Sequence, residues 1–411
     1  MLSYSREELH EELRSVWRKN PTAAGDAKQA ERVVNQAVQI ALTGLPPVAV
    51  YSHPFKGKEI FRISDPATNI VLNRASRILR SGANVKQTDR TTTVKRISKI
   101  LSEGARHRVY QFDIQSFYET IDLSDVWDYV DNLPSTDRQT SKVLRSFVDL
   151  CSDNSISGAP RGLGISAVLA ELSLREFDLK LKSLATTYFY ARYVDDILLI
   201  TSGDEAPLQT NELVAGLLPS GLRLHPTKSK HFDLAAHAKN SPASESEINF
   251  LGYRMAISEI RRTEDERLHR IVSLDISSKK VSRLKVRIAR ATLEFLTDGK
   301  FSDFEDRMKV LSGNYNIVES RWRRRINVGL YCNYRLVDAD RSTSLPAMDK
   351  FLRAWILGYG GTLSSRLAAA LTPQQSARLI AFSFEASFRS RRFYHFPANR
   401  LRELRKCWVY A

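Results

Sequence analysis

The spacing of hydrophobic and polar residues along the chain predicts a mixture of helices and strands. Apolar residues recur at helical intervals over residues 33–42, 70–80 and 164–181, and Ser81-Gly82 follows the second segment, as expected at a helix end. Between the first two segments, the stretch SHPFKGKEIFRISDP predicts a hairpin with a mobile tip. A solenoid is excluded because the chain has no internal repeat.

Shorter patterns place acidic residues at the ends of predicted strands. Residues 109–114 alternate and are rich in strand formers, with Asp113 near the end, and a helix is expected to begin near Asp122 or Ser124. The segments YFYARY and ILLIT flank VDD, which predicts a hairpin whose tip carries two adjacent aspartates. A last hairpin is predicted around NFLGYRM.

Length and composition exclude several classes of protein. The 411 residues, 43% hydrophobic and 26% charged, suit a globular protein of two or three domains. Neither a membrane span nor a signal peptide is expected, so a cytoplasmic location is expected. Cys151, Cys332 and Cys407 are too far apart to suggest a disulfide framework or a zinc site, so any metal must have oxygen ligands.

The positive charge is concentrated in the last third of the chain. The formal net charge is +16, but residues 1–253 contain 31 Lys+Arg against 30 Asp+Glu, and residues 254–411 carry net +15. A basic surplus favours an anionic partner such as nucleic acid. We therefore expect that partner to contact residues 254–411.

Three carboxylates are the strongest candidates for chemistry. A hairpin that places Asp195 and Asp196 side by side against Asp113 is electrostatically unfavourable unless cations lie between them. Mg²⁺ prefers oxygen ligands and leaves positions free for substrate phosphates, so this set suits two-metal phosphoryl transfer. The alternative interpretation is a solvated turn that happens to contain two aspartates.

Five motifs in order extend this interpretation. FDIQSFYETID, PRGLGISA, YVDD, GLRLHPTKSK and NFLGY fall within residues 55–255. The series resembles the reverse transcriptases, specifically the bacterial enzymes related to group II introns, retrons and antiphage defence. The resemblance implies an α+β right-hand polymerase with fingers, a palm whose antiparallel sheet has helices on one face, and a helical thumb followed by a basic helical region.

The same resemblance implies domain boundaries. Residues 1–108 would hold the N-terminal region and fingers, and residues 109–262 the palm, with a fingers segment at about 123–157. Residues 263–411 would hold the thumb and the basic C-terminal helical region.

The resemblance also assigns roles to individual residues. Asp113 and Asp195 would bind two Mg²⁺ ions directly, or Mn²⁺ in their place, with Ile114 in the metal site and Asp196 in support. Tyr118 matches the aromatic gate that excludes a ribose 2′-hydroxyl, so dNTPs are the implied substrates. The implied nucleotide-binding residues are Lys56, Lys58, Arg62, Tyr118, Arg161, Gly162 and Lys228, and the implied primer grip is Phe250, Leu251, Gly252 and Tyr253.

Each of these residues also has a purely structural interpretation. The lysines could be solvated surface charges, Tyr118 a core aromatic, and the NFLGY segment a hairpin packed on the core. Lys228 matches the lysine proposed to donate a proton to the leaving pyrophosphate.

The chain departs from the common pattern at one motif. It has Pro160-Arg161-Gly162 and Ser166-Ala167, whereas common reverse transcriptases have Pro-Gln-Gly followed by Ser-Pro. Arginine offers a charged fork where glutamine offers an amide, so template or nucleotide handling is expected to differ. The Val-Thr-Gly triplet of retron enzymes and an endonuclease or zinc-bearing tail are absent from the sequence. Arg161 with LGISAVLAEL resembles the abortive-infection and other antiphage groups.

A basic stripe is predicted on a helix over residues 278–297. One arc of that helix carries Lys280, Arg283, Arg287 and Arg290, and the neighbouring arc carries Val281, Leu284, Ile288, Ala291 and Phe295. This geometry suits a thumb helix lying along a duplex, although a solvated charged face is the alternative. Further on, Arg323, Arg324 and Arg325 lie in ESRWRRRINV, where arginine and aromatic residues alternate as in RNA-binding segments. A helical domain with core aromatics is the alternative there.

Three functions remain open from the sequence. The first is RNA-directed DNA synthesis, with an RNA template that is a dedicated noncoding RNA, dNTPs as substrates and DNA as product, in antiphage defence. The second is untemplated or protein-primed DNA synthesis of the abortive-infection type. The third is a non-catalytic RNA-binding scaffold or splicing helper. A protein partner and homo-oligomerisation both stay open.

Overall fold

A computed structural model describes residues 3–19, 24–83, 89–133, 136–234, 246–262, 267–319 and 324–409. The helices are α1 (Arg6–Lys19), α2 (Ala27–Thr43), α3 (Pro66–Gly82), α4 (Arg90–Ser102), α5 (Phe117–Thr120), α6 (Leu123–Asp131), α7 (Arg138–Asp153), α8 (Ser166–Ser173), α9 (Arg175–Ser183), α10 (Pro207–Leu217), α11 (Ser278–Asp298), α12 (Phe301–Ser312), α13 (Leu330–Asn333), α14 (Ser344–Ile356), α15 (Thr362–Ala370), α16 (Pro373–Ile380), α17 (Phe384–Arg389) and α18 (Ala398–Arg405). The strands are β1 (Val50–Phe55), β2 (Lys58–Ile63), β3 (His107–Asp113), β4 (Thr187–Tyr193), β5 (Asp196–Thr201), β6 (Lys230–Leu234), β7 (Ser246–Phe250), β8 (Tyr253–Arg262), β9 (Leu268–Ile276), β10 (Asn314–Glu319) and β11 (Arg324–Gly329).

The chain folds as two units. Unit 1 comprises residues 1–88 and 106–234, and unit 2 comprises residues 89–105 and 235–411. Within the described residues, no helix has both the length and the apolar character that a membrane crossing requires.

Unit 1 is built on an antiparallel sheet in the order β4-β5-β3-β6. The central strand β3 buries Val109, Tyr110 and Phe112, which explains its run of apolar residues. Helices α3, α7 and α8 pack residues such as Phe147 and Val168 into the same core. The sheet therefore packs against an apolar core, and Asp196 at the start of β5 is exposed.

Aspartate side chains begin several helices of unit 1. Asp65 accepts a hydrogen bond of 2.7 Å from the Thr68 amide, and Pro66 follows it at the first turn of α3. Asp122 and Asp137 cap α6 and α7 in the same way. These caps satisfy amide groups that have no partner inside the helix, which fixes the starts of α3, α6 and α7 locally.

Unit 2 contains the antiparallel sheet β7-β8-β9, on which α4 packs, and a mainly helical remainder. The 21-residue helix α11 buries Ile288, Ala291 and Phe295, three of the five residues of the expected apolar arc, whereas Val281 and Leu284 are half-buried. Strands β10 and β11 form a separate hairpin. Arg324 and Arg325 therefore lie in a β-hairpin, although the sequence suggested that the basic C-terminal region is helical.

The predicted helix over residues 164–181 is interrupted. Leu174, with φ −102° and ψ 9°, separates α8 from α9. Its side chain is nevertheless fully buried. The helical spacing of apolar residues thus continues across the break at Leu174. For this reason the spacing alone could not reveal that the helix ends there. The predicted α2, α3, α6, β1–β2 hairpin and β3 are confirmed, although α2 and α3 begin six and four residues before the predicted segments.

Candidate active site and nucleic-acid-binding residues

Two of the three predicted catalytic aspartates face each other in neighbouring strands. Asp113 ends β3, Asp196 begins β5, and the two are cross-strand partners. Asp195 lies in the two-residue turn before β5, and its carbonyl accepts a hydrogen bond of 3.1 Å from the Ile114 amide. Directly opposed residues of an antiparallel pair point to the same face. The sheet register therefore brings Asp113 and Asp196 to one end of unit 1, with Asp195 beside them.

The turn that carries Asp195 has an unfavourable backbone conformation. Val194 has φ 62°, in the left-handed region that a β-branched residue rarely adopts. The Val194 carbonyl accepts a hydrogen bond of 3.0 Å from Nη1 of Arg192. A surrounding structure that fixes the turn is what allows such a conformation to persist.

Arg192 is itself held by two carboxylates in the interior of unit 1. It donates to both oxygens of Asp178 at 2.8 Å and to Glu171 at 2.9 Å, and Tyr190 donates to Asp178 at 2.6 Å. Burial alone would lower the pKa of Arg192, but its contacts with Asp178 outweigh that effect and raise the pKa. This buried network links α8 and α9 to the turn between β4 and β5.

Lys228 forms an ion pair with the first aspartate. Its Nζ donates a hydrogen bond of 2.8 Å to Oδ1 of Asp113, and the amide of His225 donates to the Asp113 carbonyl at 2.7 Å. The hydrogen bond to Asp113 raises the pKa of Lys228. Lys228 thus balances part of the negative charge that Asp113 and Asp196 place opposite each other.

The carboxylates fit a divalent cation by their chemistry. Within the ranges that the structure describes, no three His, Cys, Asp or Glu side chains already converge on one point. Asp113, Asp195 and Asp196 nevertheless offer only the oxygen ligands that Mg²⁺ prefers. Opposed like charges across a strand pair are destabilising unless a cation compensates them. These three aspartates are therefore the residues that would hold such an ion.

Three of the predicted nucleotide-binding residues lie together. Arg161 Nε and Nη2 donate to the two oxygens of Glu119 at 3.0 and 3.2 Å, and Lys58 Nζ lies 3.3 Å from Oε1 of the same carboxylate. The Arg161 guanidinium carbon lies 4.4 Å from the ring centroid of Tyr118. Burial works to raise the pKa of Glu119, but the contacts with Arg161 and Lys58 and a backbone hydrogen bond together outweigh burial, so the pKa is lowered.

Backbone contacts fix the loop that carries Arg161. The Ala159 amide donates to the Tyr118 carbonyl at 2.7 Å, and the Phe61 amide donates to the Arg161 carbonyl at 2.6 Å. Gly162 has φ 103°, and a Cβ there would lie 2.7 Å from the Phe61 carbonyl oxygen. Glycine is therefore required at position 162 for the loop to approach β2 this closely.

Two further predicted nucleotide-binding residues, Lys56 and Arg62, lie along the β1–β2 hairpin. Lys56 is at its tip with φ 53°, and its Nζ is 5.4 Å from the ring centroid of Phe55. Arg62 is exposed in β2, opposite Tyr51. Their contact with a nucleotide stays a prediction.

The predicted primer grip forms the turn between β7 and β8 in unit 2. Phe250 and Tyr253 are paired and buried, and the turn residues Leu251 and Gly252 have φ 50° and 79°. Two positive φ angles are the mark of type I′ hairpin turns. A Cβ on Gly252 would also lie 3.0 Å from the Lys280 side chain.

Arg90 supports this turn from inside unit 2. Its Nε donates to the Leu251 carbonyl at 2.6 Å and its Nη1 to the Asn333 carbonyl at 2.8 Å. Its guanidinium carbon lies 4.8 Å from the ring centroid of Tyr253 and 5.0 Å from that of Tyr334. Two aromatic rings and two carbonyls thus fix Arg90, which holds the turn of the predicted primer grip.

The basic stripe of α11 is partly exposed and partly covered. Arg283 is exposed, whereas Lys280, Arg287 and Arg290 are half-buried. Trp408 covers Arg287 by donating its indole N–H to the Arg287 carbonyl at 2.9 Å. Burial and the positive charges of neighbouring basic residues lower the pKa of Lys280.

The arginines of ESRWRRRINV are only partly described. Arg325 is exposed in β11, where it pairs with Val318. Arg324 begins the strand, and Arg323 lies outside the described residues. Their role in nucleic-acid binding stays a prediction.

Sequence reasoning missed three supporting residues: Glu119, Arg192 and Arg90. Glu119 directly follows Tyr118 in the FDIQSFYETID motif, and this neighbouring position was the one feature of the sequence that could have indicated Glu119. Arg192 lies in the YFYARY segment and Arg90 far from the grip in sequence. Their partners are distant in the chain, so no spacing rule indicates them.

Comparison with known proteins agrees with the motif series. Residues 62–255, a little under half of the chain, match the family described as reverse transcriptase (RNA-dependent DNA polymerase). A solved structure of apo telomerase from Candida tropicalis, truncated from the C-terminal domain, is similar at 13% identity and TM-score 0.37, covering 54% of this chain and 57% of that one. This chain thus spans little more than half the length of that structure. No curated protein matches. The antiparallel sheets and helices agree with the predicted α+β, right-hand polymerase fold class, and residues 62–255 are similar to the reverse transcriptase family.

Proposed function

We propose that the protein is an RNA-directed DNA polymerase that extends a primer with dNTPs. The observation that carries this proposal is the cross-strand pairing of Asp113 with Asp196, with Asp195 in the adjoining turn, inside a reverse transcriptase domain. Two divalent cations on these carboxylates would activate the attacking hydroxyl and neutralise the leaving phosphates. We propose Mg²⁺, with Mn²⁺ as an alternative.

The chain's own residues have distinct tasks in this proposal. Tyr118 excludes a ribose 2′-hydroxyl by contact, and Lys58 and Arg161 offer positive charge to the triphosphate. Lys228 Nζ holds a proton beside Asp113 that can pass to the leaving pyrophosphate. In unit 2, the turn at Leu251 and Gly252 contacts the primer and the α11 stripe contacts the duplex backbone.

The biological setting is a finer proposal. We propose that the template is a dedicated noncoding RNA and that synthesis serves antiphage defence in bacteria. The resemblance of Arg161 and LGISAVLAEL to antiphage groups supports this, and so does the net charge of +15 in residues 254–411. We further propose the division into fingers, palm and thumb at the boundaries given above.

One experiment separates this function from its rivals. The nucleic acid that co-purifies with the protein would be sequenced before and after incubation with dNTPs and Mg²⁺, and again after exchange of the bound RNA. The proposal expects new DNA that is complementary to the RNA and changes with it. A biased polymer joined covalently to protein would instead support untemplated, protein-primed synthesis.

The non-catalytic alternative has its own control. Asp195→Asn should bind RNA as the parent does and incorporate no dNTP. If the parent protein also incorporates none and Asp195→Asn leaves the phenotype unchanged, both polymerase proposals are wrong and the scaffold interpretation stands.

A further inference from the structure

A carboxylate that the motif series leaves without a role contacts two of the predicted nucleotide-binding residues. Glu119 accepts two hydrogen bonds from the guanidinium of Arg161, at 3.0 and 3.2 Å, and lies 3.3 Å from Lys58 Nζ. Arg161 is the residue at which this chain departs from the common Pro-Gln-Gly motif. Arg161, the residue that replaces the common glutamine, is therefore paired with an acidic residue, Glu119.

The ion pair fixes the orientation of Arg161 over Tyr118. A bidentate contact defines both the position and the plane of a guanidinium, which a single hydrogen bond does not. The guanidinium carbon of Arg161 lies 4.4 Å from the Tyr118 ring centroid. Glu119 directly follows Tyr118 in the short helix α5, so the carboxylate and the ring are anchored to the same piece of backbone.

The backbone around this ion pair leaves little freedom. A Cβ on Gly158 would lie 2.2 Å from the Tyr118 carbonyl oxygen, and the Ala159 amide donates to that same oxygen at 2.7 Å. The Arg161 carbonyl is held by the Phe61 amide. The side chain of Arg161 is consequently the adjustable part of the contact with Tyr118, and Glu119 holds that side chain.

We infer that Glu119 is a positioning residue for sugar selection: through Arg161 it holds the Tyr118 ring where it excludes a 2′-hydroxyl. This inference rests on the proposed function, because it assigns Tyr118 to the nucleotide sugar. Without the carboxylate, Arg161 loses its bidentate partner and the ring loses the cation packed on it. Ribonucleotides should then be accepted more readily.

The test compares dATP with ATP in single-nucleotide extension. Glu119→Gln should reduce the ratio of kcat/KM for dATP to that for ATP by about tenfold, the effect of losing a charge-assisted contact. Arg161→Lys should give a similar ratio because lysine cannot form the bidentate pair. The double variant should add little, since the two residues act as one unit. Glu59→Gln removes the same charge from an exposed position of β2 and should leave the ratio unchanged.

Binding measurements keep this inference separate from the proposed function. Dissociation constants for dATP and ATP, measured with Ca²⁺ and without turnover, should show the same loss of preference in Glu119→Gln. An active parent whose preference is unchanged in Glu119→Gln would overturn the inference. The inference would also be overturned if KM fell for both nucleotides while the ratio of kcat/KM for dATP to that for ATP stayed constant. Glu119 would then only compete with the nucleotide phosphates for Arg161 and Lys58. A parent that prefers dATP in binding but never extends a primer would refute the proposed function alone.

Discussion

Lys228 donates a hydrogen bond of 2.8 Å to Asp113, the aspartate that is paired across the sheet with Asp196. The lysine therefore lies where a cation is needed to compensate two opposed carboxylates. It is also exposed, so its interaction with Asp113 is screened by water. Under the proposed function, the same side chain would balance Asp113 at rest and leave it when a metal ion and a nucleotide bind.

Removal of the Lys228 charge should separate metal affinity from rate. Lys228→Gln frees Asp113 from its ion pair, so half-maximal activity should need about two- to fivefold less Mg²⁺, the range set by an exposed ion pair. The maximal rate should also fall, because Lys228 is the proposed proton donor to the leaving pyrophosphate. Mg²⁺ titrations of primer extension would measure both effects, with Lys230→Gln as control. An increase in the Mg²⁺ requirement would contradict this role for Lys228.

The buried Arg192 network should be essential for stability of unit 1. Arg192→Met leaves Asp178 and Glu171 without their cation and should lower the free energy of unfolding by about 3–5 kcal/mol. Arg192→Lys should lower it less but should still slow extension, because the Val194 carbonyl loses its fixed donor. Arg106→Met removes an exposed ion pair with Asp204 and should cost about 1 kcal/mol or less. Denaturant unfolding of the four proteins would test the order.

Asp275 should make unit 2 sensitive to acid. Its side chain accepts hydrogen bonds from Ser342 at 2.8 Å and from the Thr343 and Ser344 amides at 2.9 and 3.0 Å, at the start of α14. Burial would raise the pKa of Asp275, but these hydrogen bonds outweigh it and the pKa is lowered. The carboxylate must therefore be ionised for its full contribution to stability.

The sign of the pH effect follows from that lowered pKa. The stability that Asp275 contributes is present above its ordinary value of about 3.9 and is lost as the pH falls through the lower folded value. Asp275→Asn should cost about 1–3 kcal/mol near neutral pH, and the difference from the parent should shrink below about pH 4. Unfolding midpoints between neutral and acidic pH would measure it, with the exposed Asp298→Asn as control. A difference that grows in acid would disprove the assignment.

The α11 stripe should contribute electrostatically to duplex binding. Lys280→Gln and Arg283→Gln should each reduce the slope of log K against log salt concentration by about one. Lys300→Gln removes the same charge just beyond the end of α11 and should leave the slope unchanged. Titrations of a short RNA–DNA duplex at several salt concentrations would measure these slopes. If Lys280→Gln and Arg283→Gln have the same slope as the parent, the stripe is a solvated face that does not contact the duplex.

The sequence by itself determined the local features of this protein. Helical spacing located α3, alternation located β3, and VDD between two strand-forming segments located the turn that carries Asp195. The start of α6 near Asp122 and the concentration of positive charge after residue 253 were equally visible. Each of these features depends on residues that are close together in the sequence, so the local pattern is sufficient to predict it.

Only the tertiary structure decided which distant residues meet. The register of β3 against β5 pairs Asp113 with Asp196, and packing of separate loops joins Arg161 to Glu119 and Lys228 to Asp113. The break at Leu174 was also invisible in a continuous apolar period. Such contacts depend on sheet register and on close packing between segments far apart in the chain, which no local periodicity encodes.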